Sequence, residues 1–164
     1  MKLRNLFLGA AVAMFAACST STNLTSFVDP KIGTGDHGHV FVGANVPFGM
    51  VQVGPTSIPQ SWDWCSGYHA SDMTLIGFSH THLSGTGIGD LFDVTVMPVV
   101  GDVTYARGDG KETQSGMWSM ADRTQEIAKP GYYSVPVSRY GVLAEMTATS
   151  RVGYHRYTFP ASDE

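Results

Sequence analysis

Residues 62–93, WDWCSGYHASDMTLIGFSHTHLSGTGIGDLFD, limit the possible folds more than any other stretch. Gly67, Gly77, Gly85, Gly87 and Gly89 interrupt these 32 residues. Glycine loses the most backbone freedom on ordering, so a stretch broken this often does not hold a helix. Short strands joined by tight loops accommodate it. The same residues include Trp62, Trp64, Cys65, three histidines and four aspartates. Loops that carry such side chains bind more often than they merely connect, which makes this stretch the candidate site.

The remainder of the chain is also β-like. Only 15% of its 164 residues are charged, and Gly, Thr, Ser, Val and Tyr are plentiful, which favours an all-β domain. The last third gives the plainest signal. Residues 131–137, 142–149 and 152–159 read as three strands of a meander, with Val142, Ala144, Met146 and Ala148 on one face and Leu143, Glu145, Thr147 and Thr149 on the other. His39–Val42, Met50–Val53 and 91–100 also read as strands, the last with Phe92, Val94 and Val96 on one face. Residues 101–116 form a glycine-rich excursion, 117–128 has room for a helical turn, and Trp118 reads as a packing residue. Glu126 and Glu145 read as surface or sheet carboxylates with Arg151 and Arg156 as possible partners. An antiparallel β-sandwich is the expected fold. The chain stops just after a strand, which suggests that the domain is incomplete at its C-terminus.

The N-terminus reads as a targeting segment. Lys2 and Arg4 precede the apolar run 6–17, which is too short to span a bilayer comfortably. Ala16-Ala17-Cys18 resembles a lipobox, so Cys18 is the expected lipidation site after removal of residues 1–17. An ordinary secretory leader is the alternative. Residues 18–27 then form a flexible tether and the domain occupies 28–164. The expected location is the cell envelope, periplasm or outer membrane, with membrane contact only through the lipid. With Cys18 lipidated, Cys65 has no disulfide partner, and the domain depends on core packing. The net charge is −4 with no basic cluster beyond Arg4, which argues against nucleic acid as a partner.

Several residues could carry chemistry. Trp62, Asp63, Trp64 and Cys65 combine an aromatic wall with polar groups, as a sugar site requires. His80 and His82 share one face if they lie in a strand, and could bond a hydroxyl or a transition metal. Ser84 lies in a tight loop whose backbone N–H groups could meet a ligand. Asp36-His37-Gly38-His39 could be half of a metal site, or loop residues bonded to backbone. Asp63, Asp72, Asp90 and Asp93 could include a catalytic carboxylate pair, although no motif supports it.

IGTGDHGHVFVGANVPFGMVQVGP, then SGYH, GFSHTHLSGTG, VMP, AKPGYYSV and AEMTATSRVGYHRYTFP occur in that order. Together they resemble the N-terminal domain of glycoside hydrolase family 92 over about residues 28–160. The resemblance implies an exported, calcium-dependent, inverting exo-α-mannosidase acting on mannose-containing glycans. It implies a β-sandwich packed against an (α/α)6 barrel that carries the catalytic acid, the base and the main Ca2+ ligands. That barrel is absent from these 164 residues. The fragment is therefore expected to shape the substrate pocket through Trp62, Asp63, Trp64, Cys65, His80, His82 and Ser84, with no catalytic or metal residue of its own and no activity alone. A non-catalytic carbohydrate-binding or scaffold module is the alternative, and a histidine-rich metal-binding domain a third reading.

Overall fold

The computed structural model describes residues 23–89 and 91–162. The leader, Cys18 and Asp90 lie outside the described residues. Among these residues nine strands follow in order: β1 (Ala44–Asn45), β2 (Gln52–Thr56), β3 (Thr74–Leu75), β4 (Gly77–Ser79), β5 (Ser119–Met120), β6 (Ile127–Lys129), β7 (Tyr132–Val137), β8 (Val142–Ala148) and β9 (Gly153–Thr158). The only helical pieces among the described residues are 3-10 turns at Leu24–Phe27, Trp62–Trp64 and Thr113–Ser115. No helix among them is long and apolar enough to cross a membrane.

The strands form an antiparallel β-sandwich. One sheet has the order β1-β2-β4 and the other β6-β7-β8-β9, with β3-β5 as a separate pair. Ala121, just after β5, bridges to Val137 at the end of β7, so this pair continues the larger sheet. β8 packs across β1 and β2. Period-two alternation sends Val142, Ala144, Met146 and Ala148 inward, where they meet Val42, Ala44 and Val53 together with Tyr133, Val135 and Val137 of β7. Leu143 and Thr147 point out. The meander thus matches its sequence pattern. Gly43 and Gly54 let β1 and β2 approach closely. A Cβ on Gly54 would lie 2.1 Å from the Val42 carbonyl oxygen, and one on Gly43 2.2 Å from that of Val53.

Four expectations are corrected. His39–Val42 is not a strand; His39 has a φ of 52°, and the ladder starts only at Ala44. The strand expected at Met50–Val53 is displaced to Gln52–Thr56. Residues 91–100 do not run as a strand, because Leu91, Phe92 and Val94 all have positive φ. Phe92 N–H donates to the Thr81 carbonyl, and Asp93 N–H to Thr81 Oγ1, so the segment folds back on the loop after β4. Only Val96 rejoins a ladder, opposite Phe78. In 117–128 the expected helical turn is a tight turn headed by Asp122, whose Oδ1 accepts from Thr124 N–H and Thr124 Oγ1.

Glu126 is not a surface residue. Its carboxylate is 1% exposed and lies 2.5 Å from Lys31 Nζ and 3.4 Å from an Arg123 nitrogen. It also accepts from Tyr68 and Tyr133 hydroxyls at 3.1 and 2.6 Å. Burial pushes the Tyr68 phenol up to about 12, and it also raises Tyr133, so both remain donors. Glu126 thereby ties the chain entry at Lys31, the loop at Tyr68 and strand β7 to one point. Glu145 does meet Arg156, as expected, through two bonds from the guanidinium.

Candidate functional site

A cleft of about 470 Å³ opens between the Trp62–Trp64 turn and the loop of residues 84–89. Pro59, Trp62, Trp64, Cys65, Ile88 and Phe92 supply most of its apolar wall. The first wall forms because Trp64 N–H returns to Ser61, Cys65 N–H to Trp62 and Gly67 N–H to Trp64, winding the chain tightly after Pro59. This turn sends its three side chains in different directions. Trp62 is 57% exposed. Trp64 turns in, stacks on His69 at 4.3 Å and donates its indole N–H to Asp72 Oδ2 at 2.7 Å. Cys65 is buried and its thiol donates to the Thr86 carbonyl at 3.0 Å. Gly67 makes room for Phe92: a Cβ there would lie 2.7 Å from the Phe92 ring, at a φ of +81° that already favours glycine.

Asp63 is held by two histidines. His37 Nδ1 lies 2.6 Å from Asp63 Oδ1, and His39 Nε2 lies 3.2 Å from the same oxygen. His37 is exposed and its pKa is raised, first by the hydrogen bond to Asp63 and then by its charge. Asp63 is lowered by the same bond, with His39 adding to it. Both rings touch Trp62. His39 meets it edge-on at a centroid separation of 4.2 Å, and His37 lies tilted at 5.5 Å. The other ring nitrogen of His39 faces the Thr86 carbonyl at 2.9 Å. Sequence reasoning had set His37 and His39 beside each other as a possible metal half-site. What it missed was Asp63 as their common acceptor, because 24 and 26 residues separate them. No local signal spans that gap.

The remaining candidates are dispersed. The expectation that His80 and His82 share one strand face is not met, because β4 ends at Ser79. His82 is buried, with its ring nitrogens on the Gln52 carbonyl and Thr56 Oγ1, and burial pulls its pKa down to about 4. With both nitrogens bonded inside the sandwich, it supports the cleft from behind through Phe41 and Phe92. His80 turns to the sheet edge, where its Nε2 lies 3.0 Å from His155 Nε2 and its Nδ1 bonds the Val94 carbonyl. Ser84 Oγ accepts from Phe41 N–H, on the same loop as the second cleft wall.

The candidate carboxylates among the described residues, Asp63, Asp72 and Asp93, are each engaged by other side chains. Inversion at a glycosidic centre needs two carboxyl groups about 6.5–9.5 Å apart around the bond. No acidic side chain lines the cleft among the described residues. Asp72 already accepts from Gln60, Trp64 and both the N–H and hydroxyl of Thr74. Asp93 accepts from Thr81. Calcium takes six to eight oxygen ligands, and no group of three or more His, Cys, Asp or Glu among the described residues could hold a metal ion. The residues present do not fit that ion. They form an aromatic, polar-edged recess suited to holding a ring-shaped hydroxylated ligand.

Comparison with known proteins gives this geometry a context. Residues 27–164 match the glycosyl hydrolase family 92 N-terminal domain. A family 92 alpha-mannosidase from Bacteroides thetaiotaomicron, solved in complex with mannoimidazole, superposes with a TM-score of 0.82 at 42% identity, over 87% of this chain and 19% of its own. A family 92 inverting mannosidase from Bacteroides thetaiotaomicron VPI-5482 shares the fold, with a TM-score of 0.65 at 24% identity, over 87% of this chain and 19% of its own. An uncharacterized secreted glycosidase of Arthroderma benhamiae is 30% identical over 159 residues, which is 94% of this chain and 20% of that protein. The chain thus spans about a fifth of the length of these relatives.

Proposed function

The chain belongs to glycoside hydrolase family 92 through its N-terminal domain, and we propose that it shapes the substrate pocket of an exported exo-α-mannosidase that trims mannose from glycans. The observation that carries this reading is the exposed Trp62 at the mouth of a cleft that no acidic side chain lines among the described residues. An indole there can wall the apolar face of a sugar ring. Both histidine bonds of Asp63 fall on Oδ1, so Oδ2 can accept from a sugar hydroxyl. The acid, the base and the ligands of a catalytic Ca2+ belong, in this proposal, to a barrel domain of the longer protein, with inversion as the stereochemical course. Export fits the secreted relative, and lipidation of Cys18 would supply the membrane anchor.

The test is release of mannose from α-mannosides by the full-length protein and by this 164-residue chain, side by side, with and without calcium. Turnover is expected only from the full-length protein with calcium. In that protein Trp62→Ala should lower kcat/KM on the order of tenfold, equivalent to about 1.4 kcal/mol of lost binding. Turnover by the chain alone would overturn the division of labour. Inactivity of both, with mannose still quenching tryptophan fluorescence, would instead favour a carbohydrate-binding module.

A further inference from the structure

His37 and His39 stand outside the apolar lining of the cleft, yet they are tied into it from both sides. Asp63 Oδ1 receives both rings. His39 reaches across to the Thr86 carbonyl in the opposite wall, and the Cys65 thiol donates to that same oxygen. One carbonyl in residues 84–89 is therefore bonded twice from the tryptophan side. Trp62 follows directly on this arrangement. Trp62 is more than half exposed and its indole makes no hydrogen bond to the described residues, so ring contacts at 4.2 and 5.5 Å to the two histidines set its orientation.

We propose that His37 and His39, joined through Asp63, are positioning residues that lock the Trp62 indole as a sugar platform and hold the two cleft walls at a fixed spacing. The inference rests on the reading of Trp62 as the sugar-facing wall. A free indole on a short turn samples several rotamers, and binding must then meet the cost of ordering it. A clasp that fixes it beforehand lowers KM and leaves the chemical step unchanged. His39 spans Asp63 Oδ1 on one side and the Thr86 carbonyl on the other. His37 adds a charge-assisted bond to Asp63. The charged and titratable groups around His37 are Asp63 and, more weakly, Asp36. His39 shares Asp63 with it and brings the opposite wall through a neutral carbonyl.

The experiment uses the full-length protein carrying 5-fluorotryptophan, with the Trp62 resonance assigned by its loss in Trp62→Phe. His39→Ala and His37→Ala are expected to raise KM about three- to tenfold with kcat held within twofold, and to move or broaden the Trp62 fluorine line in the absence of sugar. Asp63→Asn keeps an acceptor oxygen but removes the charge that lifts His37. In that variant the alkaline rise in KM should begin at lower pH than in the unaltered protein. This readout would not follow from loosened packing alone. A normal KM, an unmoved Trp62 line and an unshifted pH profile in all three variants would overturn the clasp while leaving the platform reading intact. If Trp62→Ala leaves KM unchanged, the platform reading fails and the proposed role of the clasp fails with it, whatever the fluorine line shows.

Discussion

The meander and the cleft hold their shapes by different means. In β7-β8-β9 the backbone does the work: Val137 faces Val142, Ala144 faces Tyr157, and the register continues without a break to Ala148 and Gly153. In the cleft, single side-chain contacts span 21 residues from Cys65 to Thr86, 26 from His37 to Asp63 and 47 from His39 to Thr86. A ladder made of backbone survives many substitutions, because every residue brings its own donor and acceptor. A recess made of individual side chains loses its geometry with one substitution, although the domain itself stays folded. Stability should therefore be concentrated in the sheets and ligand affinity in the loops.

Glu126 tests that division most severely, because it is the point where the loops are fastened to β7. Removing one partner of a buried ionic cluster leaves the others uncompensated, which costs about 3–5 kcal/mol. Glu126→Ala would leave Arg123 and both tyrosine hydroxyls without their acceptor, and Arg123 Nε already has no hydrogen-bond partner among the described residues. Chemical denaturation of the full-length protein should show a loss of that size for the transition that reports this domain. A loss below 1 kcal/mol would mean that Lys31 and Arg123 reach solvent easily and that the fastening is elsewhere.

The next effect is one of pH, and it separates two histidines that the sequence offered as equals of their neighbours. An unfolded histidine titrates near 6.5, whereas burial holds His82 down at about 4. Between those values the unfolded chain binds more protons than the folded one. Stability from this group is therefore complete above about pH 6.5 and declines as pH falls toward 4, by roughly 3 kcal/mol in all. His37 has the opposite sign. Its pKa is raised by Asp63, so its contribution is present below the ordinary histidine value and fades as pH rises through the raised one. Denaturation midpoints taken from pH 7.5 down to 4.5 should fall in the parent and fall less in His82→Gln. The slope that remains includes His155, which burial and the neighbouring His80 hold near 4 in the same direction, against the opposite contribution of His37. An equal slope in both proteins would show that His82 is already solvated in the fold.

How much of this was legible in the sequence follows the same division. Alternation at 142–148 was readable because one residue in two meets the core, and that rule needs no knowledge of distant partners. Buried glutamate was not readable: Glu126 sits among Arg123, Thr124 and Gln125, and only the approach of Lys31, Tyr68 and Tyr133 makes its burial tolerable. His80 and His82 looked like a pair under the strand rule, but the strand ends at Ser79, before either of them. The tryptophan turn stands out by its composition, and the structure places it in the wall of a cleft. The histidines that brace it were seen as neighbours of one another and not of Trp62, since the sequence does not show which loops the sandwich brings together. Positive φ at Leu91, Phe92 and Val94 overrode a good alternating pattern, because the backbone there bonds Thr81 instead of a neighbouring strand.

The smallest expected effect lies on the outer face of the meander itself. Arg156 is paired with Glu145 by two hydrogen bonds, which on inspection looks like the strongest contact in the sheet. Its side chain is 74% exposed, however, so the charge is largely solvated and the attraction screened. Glu145 also keeps the Tyr132 hydroxyl at 2.8 Å when Arg156 is removed, so no buried acceptor is orphaned. Arg156→Ala should therefore give only a small shift in the denaturation midpoint, one that shrinks further with added salt. A loss as large as that expected for Glu126→Ala would mean that this face is covered in the full-length protein and that the ion pair works in a low-dielectric interface. The outer face of the meander would then belong with the cleft, as a surface made for contact, and not with the frame.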